Sequence, residues 1–313
     1  MKSFDIIVVG HFSIDHIEIA GQRPQTRLGG PATYTSLAAE NLGAKVAVIS
    51  KVGYGFPQTL LRILVNKGIN LSEVKKSAKP TTELLLIYAD DEREIRLLRK
   101  CDKFTENDLP TLVKGKIIHI APIVGEIEPS TAVAFLERGE IGSLDPQGFL
   151  RNFGRFGNMK LKRWFDLELL SKVDILKCSR EELVMMTGTT DVRRSLKRIC
   201  ECGVKVTILT LGERGAICAT SSEFFHAPAY NPENVVDPTG AGDAFIGGFL
   251  SAYLGNPDEH RWCVAVGAAS ASTCIEHPGP LAFERKQDVK ERAEKIYENI
   301  RTLESTDLQR NLL

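Results

Sequence analysis

The sequence predicts an α/β fold, with a mostly parallel central sheet in a three-layer α/β/α arrangement and a small β lid beside it. Two observations predict this fold. Short β-branched runs alternate with longer helical patterns over most of the 313 residues, which is typical of parallel strands joined by helices. Two further segments, 12–20 and 81–99, interrupt this rhythm with strand patterns of their own.

Six short apolar runs are predicted to be the strands of the central sheet. In chain order they cover residues 5–9, 45–50, 117–120, 141–144, 173–176 and 206–210. Helical patterns fall between them at 32–41, 58–67, 131–138, 180–186 and 192–202. This alternation favours helices on both faces of the sheet.

The last third of the chain is predicted to be helical and of a different character. Residues 245–254 are apolar nearly all round, so this helix must be buried. Residues 261–275 contain a run of small side chains. Such a run allows the close approach of another helix or of a flat ligand.

The segments 12–20 and 81–99 are expected to form a small antiparallel flap over one edge of the main sheet. A flap over a pocket would be a lid. An ordinary extension of the sheet edge and a contact between two chains of a homodimer are equally compatible with the pattern.

Composition and charge exclude several functional classes. With 40 Lys and Arg, 40 Asp and Glu, and no long block of one sign, the chain lacks the basic footprint of a nucleic-acid binder. No window approaches the ~20 apolar residues of a membrane span, and the first 15 residues read as a strand, not a signal peptide. We therefore expect a single cytoplasmic domain over residues 1–313 with reduced cysteines.

The sharpest motif covers residues 236–243, Val-Asp-Pro-Thr-Gly-Ala-Gly-Asp, directly before the apolar helix. Gly240, Ala241 and Gly242 allow a ligand to approach the backbone, and the first amides of a helix point outward without intrahelical partners. Such a turn forms an anion hole. Asp243 beside it is placed to take a proton from a hydroxyl; an ordinary turn with an N-terminal capping Asp is the alternative.

These residues, continued by Phe245, Gly247 and Gly248, closely resemble the second signature of the ribokinase-like, or PfkB, family of carbohydrate kinases. The resemblance implies ATP-dependent phosphoryl transfer to a substrate hydroxyl, with Asp243 as general base and residues 240–242 as the anion hole. It covers about the first 280 residues, and its matching elements occur in the family's order.

The resemblance also implies substrate-binding residues near the N-terminus. Asp15, in Gly-His-Phe-Ser-Ile-Asp, occupies the place of an Asp that holds substrate hydroxyls, and Gly29 and Gly30 match the family's Gly-Gly. The two asparagines usual after that pair are Pro31 and Tyr34 in this chain. These departures weaken the case for the usual pentose pocket.

Ser179 and Glu182 match the family's Asn-x-x-Glu element, which organises magnesium and its water near the phosphates. The resemblance implies that Glu182 serves the metal and that Ser179 replaces the Asn. Magnesium prefers oxygen ligands and retains several waters, which suits one outer carboxylate. Ser-x-x-Glu is also a helix capping box, and this second interpretation stays open.

Thr210, Gly212 and Gly215 resemble the family's Thr-x-Gly-x-x-Gly turn, where the phosphates and ribose of the ATP donor pass. This turn follows a core strand, and ligands of open α/β sheets bind at the carboxyl ends of strands. The small residues at 267–272 occur where the family packs the adenine. Helix packing would explain them equally well.

The acceptor is expected to be a small sugar or cyclitol. Gln147 follows a core strand with a polar group able to reach a hydroxyl-bearing ligand, and the chain resembles the family's archaeal and plant inositol-kinase branch most. We expect myo-inositol, with a nucleoside or another sugar as the alternative. A catalytically idle ligand-binding protein is the rival from another class; a dinucleotide oxidoreductase would need a Gly-x-Gly-x-x-Gly turn that residues 10–15 lack.

Overall fold

The computed structural model describes residues 1–21, 23–89, 92–280 and 285–304. The strands are β1 Lys2–Val9, β2 Ser13–Ile19, β3 Gln25–Gly29, β4 Val46–Tyr54, β5 Asn70–Pro80, β6 Thr82–Ala89, β7 Glu92–Arg99, β8 Val113–Ile120, β9 Ile141–Leu144, β10 Arg151–Phe153, β11 Met159–Leu161, β12 Ile175–Ser179, β13 Val206–Thr210, β14 Ala216–Ala219, β15 Phe224–Ala227 and β16 Arg301–Thr302. The helices are α1 Pro31–Asn41, α2 Gln58–Asn66, α3 Pro129–Leu136, α4 Gln147–Leu150, α5 Leu167–Leu170, α6 Arg180–Thr187, α7 Val192–Glu201, α8 Ala241–Gly255, α9 His260–Cys274 and α10 Lys286–Tyr297.

The central sheet is mostly parallel, as the sequence predicts. Among the described residues its strand order is β16-β15-β14-β13-β12-β9-β8-β1-β4-β5. All neighbours from β13 to β5 pair in parallel. The strands β14 to β16 extend one edge in antiparallel fashion.

Helices cover both faces because the central strands are apolar on both sides. In β1, Ile6 and Val8 enter one core with α1, α8, α9 and α10. Ile7 and Val9 enter the other core with α3 to α7. Successive side chains of a strand point to opposite faces, so this continuous apolar run produces the three layers. No helix of the described part has the length and apolar character to cross a bilayer.

The predicted flap exists as a separate sheet, which we call the lid sheet, with strand order β3-β2-β6-β7. Its outer pairs, β2 with β3 and β6 with β7, are antiparallel, whereas its central pair, β2 with β6, is parallel. The central pair is parallel because β2 follows β1 and β6 follows β5, and β1 and β5 run in the same direction on either side of β4. The turn residues Asp90 and Asp91 lie outside the described part.

Several elements go beyond the predicted pattern. The strands β3 and β5, the hairpin β10–β11, the antiparallel edge β14–β16 and the helix α10 were not expected. β5 contains Lys75, Lys76 and Lys79. It lies at the sheet edge, where a strand tolerates charge and shows no strong apolar pattern.

Candidate active site

The anion loop, which we define as residues 237–242, is held in a tight turn that requires glycine at position 240. Gly240 has φ +82° and precedes α8 as its N-cap. A Cβ at this position would come within 2.3 Å of the Tyr34 ring. Both the left-handed backbone and the close ring therefore exclude other residues at this position.

The amides of this turn differ in what they can offer a ligand. The Ala241 amide donates to the Pro238 carbonyl at 3.3 Å, and the Ala244 amide makes the first bond along the helix, to the Gly240 carbonyl at 2.8 Å. The Gly242 amide belongs to the first turn between them, where amides lack an i−4 partner. The expected anion hole thus depends on Gly242 more than on Ala241.

Asp243 lies half-buried in the first turn of α8, directly after the anion loop. The buried hydroxyl of Thr35 on α1 donates to its backbone carbonyl at 3.1 Å. One turn further along, Gly247 lets α8 pack closely against α1, since a Cβ there would approach the Thr35 carbonyl to 2.5 Å. These contacts fix Asp243 against α1.

Lys177 of β12 brings a buried positive charge to the anion loop. Its ammonium forms an ion pair with Asp145, and both side chains are buried, at 8% and 1% exposure. A Cβ on Gly242 would lie 3.0 Å from the Lys177 Nζ. Burial lowers the pKa of this lysine, but Asp145, and then Asp243 and Glu182, raise it above its ordinary value. The ammonium is therefore charged at neutral pH.

Ser179 and Glu182 form the capping box that was the alternative interpretation of their spacing. The Ser179 amide donates to Glu182 Oε2 at 2.7 Å, and the Glu182 amide donates to Ser179 Oγ at 3.2 Å. Burial and then Asp145 raise the pKa of the Glu182 carboxyl. A carboxylate offers about four lone pairs on two oxygens. The cap therefore does not preclude a bond from Glu182 to a metal-bound water.

Asp15 and the Gly-Gly pair meet where β2 crosses to β3 and α1. The Asp15 side chain is 4% exposed and accepts a hydrogen bond from Ser13 Oγ at 2.6 Å. A Cβ on Gly29 would lie 1.9 Å from Asp15 Oδ2. Gly30, with φ +88°, is the N-cap of α1. The missing side chain at Gly29 therefore makes room for the carboxylate.

Tyr34 lies near both predicted carboxylates of the site. Its side chain is 2% exposed. Burial raises the pKa of its hydroxyl most, and Asp15, Cys274, Asp237 and Asp243 raise it further. The ring is therefore near both the predicted acceptor carboxylate, Asp15, and the predicted base, Asp243.

A cavity of about 520 Å³ opens beside the anion loop. It is lined by Thr210, Gly212 and Gly215 on one side and by Ala241 and Gly242 on another. The small residues Ala268, Ala271 and Ser272 of α9 complete its wall. Ligand sites typically measure about 300–1,000 Å³. The predicted donor residues and the small-residue helix thus surround one cavity of suitable size for a nucleotide.

The sequence and the fold match known proteins. A sequence profile described as "pfkB family carbohydrate kinase" matches residues 3–286. The chain belongs to the PfkB family of carbohydrate kinases. It is therefore a phosphotransferase, as the resemblance of its motifs implied.

This PfkB kinase is similar to enzymes that act on different acceptors. It is 31% identical over 282 residues to a cytidine kinase of Thermococcus kodakarensis, covering 88% of this chain and 97% of the relative. It is 27% identical over 279 residues to a deoxyribokinase of Salmonella typhi, covering 81% and 87%. A pyrophosphate-dependent kinase of the ribokinase family, solved with a pyrophosphate analogue and myo-inositol, superposes with a TM-score of 0.79 and 26% identity, covering 91% and 99%.

Gln147 of this PfkB kinase, the remaining predicted residue, begins the short helix α4 after β9. It is half-buried, and its amide donates to Asp145 Oδ1 at 3.1 Å. Its position is therefore next to the Asp145–Lys177 pair. An acceptor contact for its side chain stays a prediction.

Sequence reasoning missed Lys177 and Arg27 of this PfkB kinase. Lys177 interrupts the apolar strand β12, and a lysine is almost never buried without a partner. That interruption was an available signal. Arg27 pairs with Asp237 over a separation of 210 residues, and no local pattern could have indicated that contact.

Proposed function

We propose that the protein transfers a phosphoryl group from ATP to a hydroxyl of a small sugar or cyclitol, with Asp243 as general base. One observation carries the proposal. Asp243 follows directly on the anion loop, and that loop lines a cavity of about 520 Å³ together with Thr210, Gly212 and Gly215. A base, an anion-binding turn and room for a nucleotide are thus adjacent.

In the proposed reaction, the Asp243 carboxylate takes the proton of the acceptor hydroxyl while the oxygen of that hydroxyl forms a bond to the γ-phosphorus of ATP. The bond between that phosphorus and the β,γ-bridging oxygen breaks, and ADP leaves. The Gly242 amide and the Lys177 ammonium, whose Nζ would lie 3.0 Å from a Cβ on Gly242, stabilise the charge on the transferring group. Phosphoryl transfer depends mostly on such positioning and charge stabilisation.

Magnesium fits the residues present. Glu182 and Asp243 offer hard carboxylate oxygens, and both are near enough to raise the pKa of Lys177. Magnesium keeps several waters and binds donor phosphates, so it needs only one or two protein carboxylates. When bound, the ion would supply charge neutralisation on the phosphates, with Glu182 holding one of its waters.

ATP is the proposed donor because the cavity extends beyond the anion loop. The small side chains of Ala268, Ala271 and Ser272 line the cavity on α9 and leave room for a ring such as adenine. Pyrophosphate, the donor of one structural neighbour, would need only the phosphate end. The donor assay therefore compares ATP with pyrophosphate.

For the acceptor we propose myo-inositol first, supported by the motif resemblance and by the structural neighbour solved with that ligand. A nucleoside is the second candidate. Asp15 shares the inner face of the lid sheet with Ile17, Leu84 and Leu86, by its register with β6. An apolar wall beside a carboxylate suits a ribose with an attached base, and one relative is a cytidine kinase.

Product formation from myo-inositol, cytidine, deoxyribose and fructose, with each donor, tests the proposal. Turnover by Asp243→Asn should fall by about 10²–10⁴-fold, the contribution of a positioned base. The control is Asp258→Asn, an exposed aspartate beyond the far end of α8. Undiminished turnover in Asp243→Asn would overturn the proposal. If the wild type phosphorylates none of these acceptors, the proposal is also overturned, and a catalytically idle ligand-binding protein is favoured.

A further inference from the structure

The lid sheet is bonded directly to the anion loop through two side chains. Arg27 Nη1 of β3 lies 2.5 Å from Asp237 Oδ2. The Tyr88 hydroxyl of β6 lies 2.5 Å from Thr239 Oγ1. The two bonds reach positions on both sides of Pro238, immediately before Gly240. The lid sheet thus contacts the loop itself and not only the rim of the site.

The Arg27–Asp237 pair is too buried to be an incidental surface contact. The side chains are 16% and 1% exposed. The second carboxylate oxygen of Asp237 accepts the Thr239 amide at 2.9 Å. Asp237 therefore shapes the turn of the anion loop, and Arg27 supplies the charge that its buried carboxylate requires. Removing one partner of a buried pair leaves an uncompensated charge.

Arg27 also neighbours the predicted acceptor residue. In the β2–β3 register it is directly opposite Asp15, and opposite residues of paired strands project from the same face. Arg27 thus lies next to Asp15 within the lid sheet and also contacts Asp237 of the anion loop. Tyr88, opposite Ile19 in the β2–β6 register, makes the second bond from the same face.

We propose that Arg27 and Tyr88 form a latch through which the lid sheet holds the anion loop in its phosphate-binding shape. Arg27 is the principal positioning residue. The inference rests on the proposed function only for its effect on catalysis. The mechanical part, that the lid sheet orders the loop, follows from the two bonds alone.

The latch couples the two substrates. An acceptor bound at Asp15 stabilises the lid sheet, and the lid sheet through Arg27 stabilises the loop that receives the donor phosphates. Coupling between binding sites is reciprocal, so donor binding must favour acceptor binding by the same factor. Such coupling favours phosphoryl transfer over hydrolysis of ATP in the absence of acceptor.

Hydrogen–deuterium exchange of the substrate-free protein tests the mechanical part. The variants are Arg27→Met and Tyr88→Phe, with Arg99→Met as the control, since Arg99 is a lid arginine that is 55% exposed. The latch predicts at least about tenfold faster exchange of the amides of residues 237–244 in Arg27→Met, a smaller increase in Tyr88→Phe and no change in Arg99→Met. Unchanged exchange in Arg27→Met would overturn the inference.

Arg27→Met combined with Asp237→Asn covers the case in which the single variant does not fold. This pair removes the uncompensated carboxylate, so it should fold, and its loop exchange should still be faster than in the wild type. Wild-type exchange in this variant would also overturn the inference, because the loop would then keep its shape without the latch.

Catalysis separates this inference from the proposed function. With an acceptor that the wild type phosphorylates, Arg27→Met should lower kcat by about 10–100-fold, since small misplacement of a catalytic loop is costly, and raise the share of ATP hydrolysed without transfer. Wild-type values for both would overturn the latch while the proposed function stands. If the wild type phosphorylates no acceptor, the proposed function fails and the exchange experiment alone decides the latch.

Discussion

Replacing Lys177 with Met is the sharpest test of the site, because the structure assigns this lysine two separable roles. It neutralises Asp145, which is 1% exposed, and it brings an ammonium to the anion loop beside Gly242. Met has a similar length without the charge. The variant therefore leaves Asp145 buried and unpaired while keeping most of the packing volume.

The two roles predict two magnitudes. Leaving one member of a buried ion pair unpaired costs about 3–5 kcal/mol of the free energy of unfolding. Each kcal/mol corresponds to about 2–4 °C in Tm for domains of 150–250 residues, and the lower figure suits this longer chain, so Tm should fall by about 6–10 °C. Loss of one donor to the transferring group typically lowers kcat by about 10²–10³-fold. We expect both effects in Lys177→Met.

The double variant Lys177→Met with Asp145→Asn separates the effect on stability from the effect on turnover. It removes both charges, so Tm should recover most of its loss, whereas kcat should stay low. Asp145→Asn alone measures what the amide itself does to turnover. Lys205→Met is the matched control, since Lys205 pairs with Asp174 at 2.7 Å but is 72% exposed, and exposed pairs contribute about 0–1 kcal/mol.

The assays are thermal unfolding and steady-state phosphoryl transfer at saturating donor. Recovery of both Tm and kcat in the double variant would show that Lys177 serves only the fold. Wild-type kcat in a folded Lys177→Met would refute the role of its charge outright.

Three further predictions follow from the geometry. Glu182→Gln should keep the capping box, which accepts Gln as well as Glu, and Tm, but should raise the magnesium concentration needed for half-maximal turnover; an unchanged magnesium titration would leave Glu182 only its capping role. Gly240→Ala should lower kcat by about 10²-fold or more, because the new Cβ would contact the Tyr34 ring and the backbone φ at this position is +82°. The control Gly255→Ala, where a Cβ has no neighbour within 4 Å, should leave kcat unchanged. Burial lowers the pKa of His119 from 6.5 to about 4. As pH falls, the unfolded chain therefore binds this proton before the folded chain does, and about 3 kcal/mol of the free energy of unfolding should be lost between pH 6.5 and 4. Chemical unfolding of His119→Asn should show a flatter pH dependence than the wild type over that window, and the same slope in both proteins would contradict this prediction.

The sequence predicted the parts of the site that are contiguous along the chain. The motif at residues 236–243 was predicted to form a turn before a buried helix, and the structure contains that turn and helix α8. Thr210, Gly212 and Gly215 line the same cavity. Local motifs succeed because a turn and the helix that follows it are determined by the residues within them.

The spacing of Ser179 and Glu182 is compatible with two roles of one motif. Ser179 and Glu182 form the capping box, yet Glu182 is also close enough to Lys177 to affect its pKa. Spacing alone predicts both roles equally. Only the position of β12 beside the anion loop shows that this cap lies within the site.

What the sequence determined by itself was the layered α/β fold and the chemistry of its short motifs, since both depend on residues close together in the chain. What only the tertiary structure decided was which distant side chains complete them. Lys177 lies beside the loop before α8. Arg27 pairs with Asp237, 210 residues away in the chain, and Tyr88 bonds to Thr239, 151 residues away. A buried charge needs a partner, and that partner can come from any part of the chain that the fold places beside it. The local sequence therefore does not show which residue the partner is.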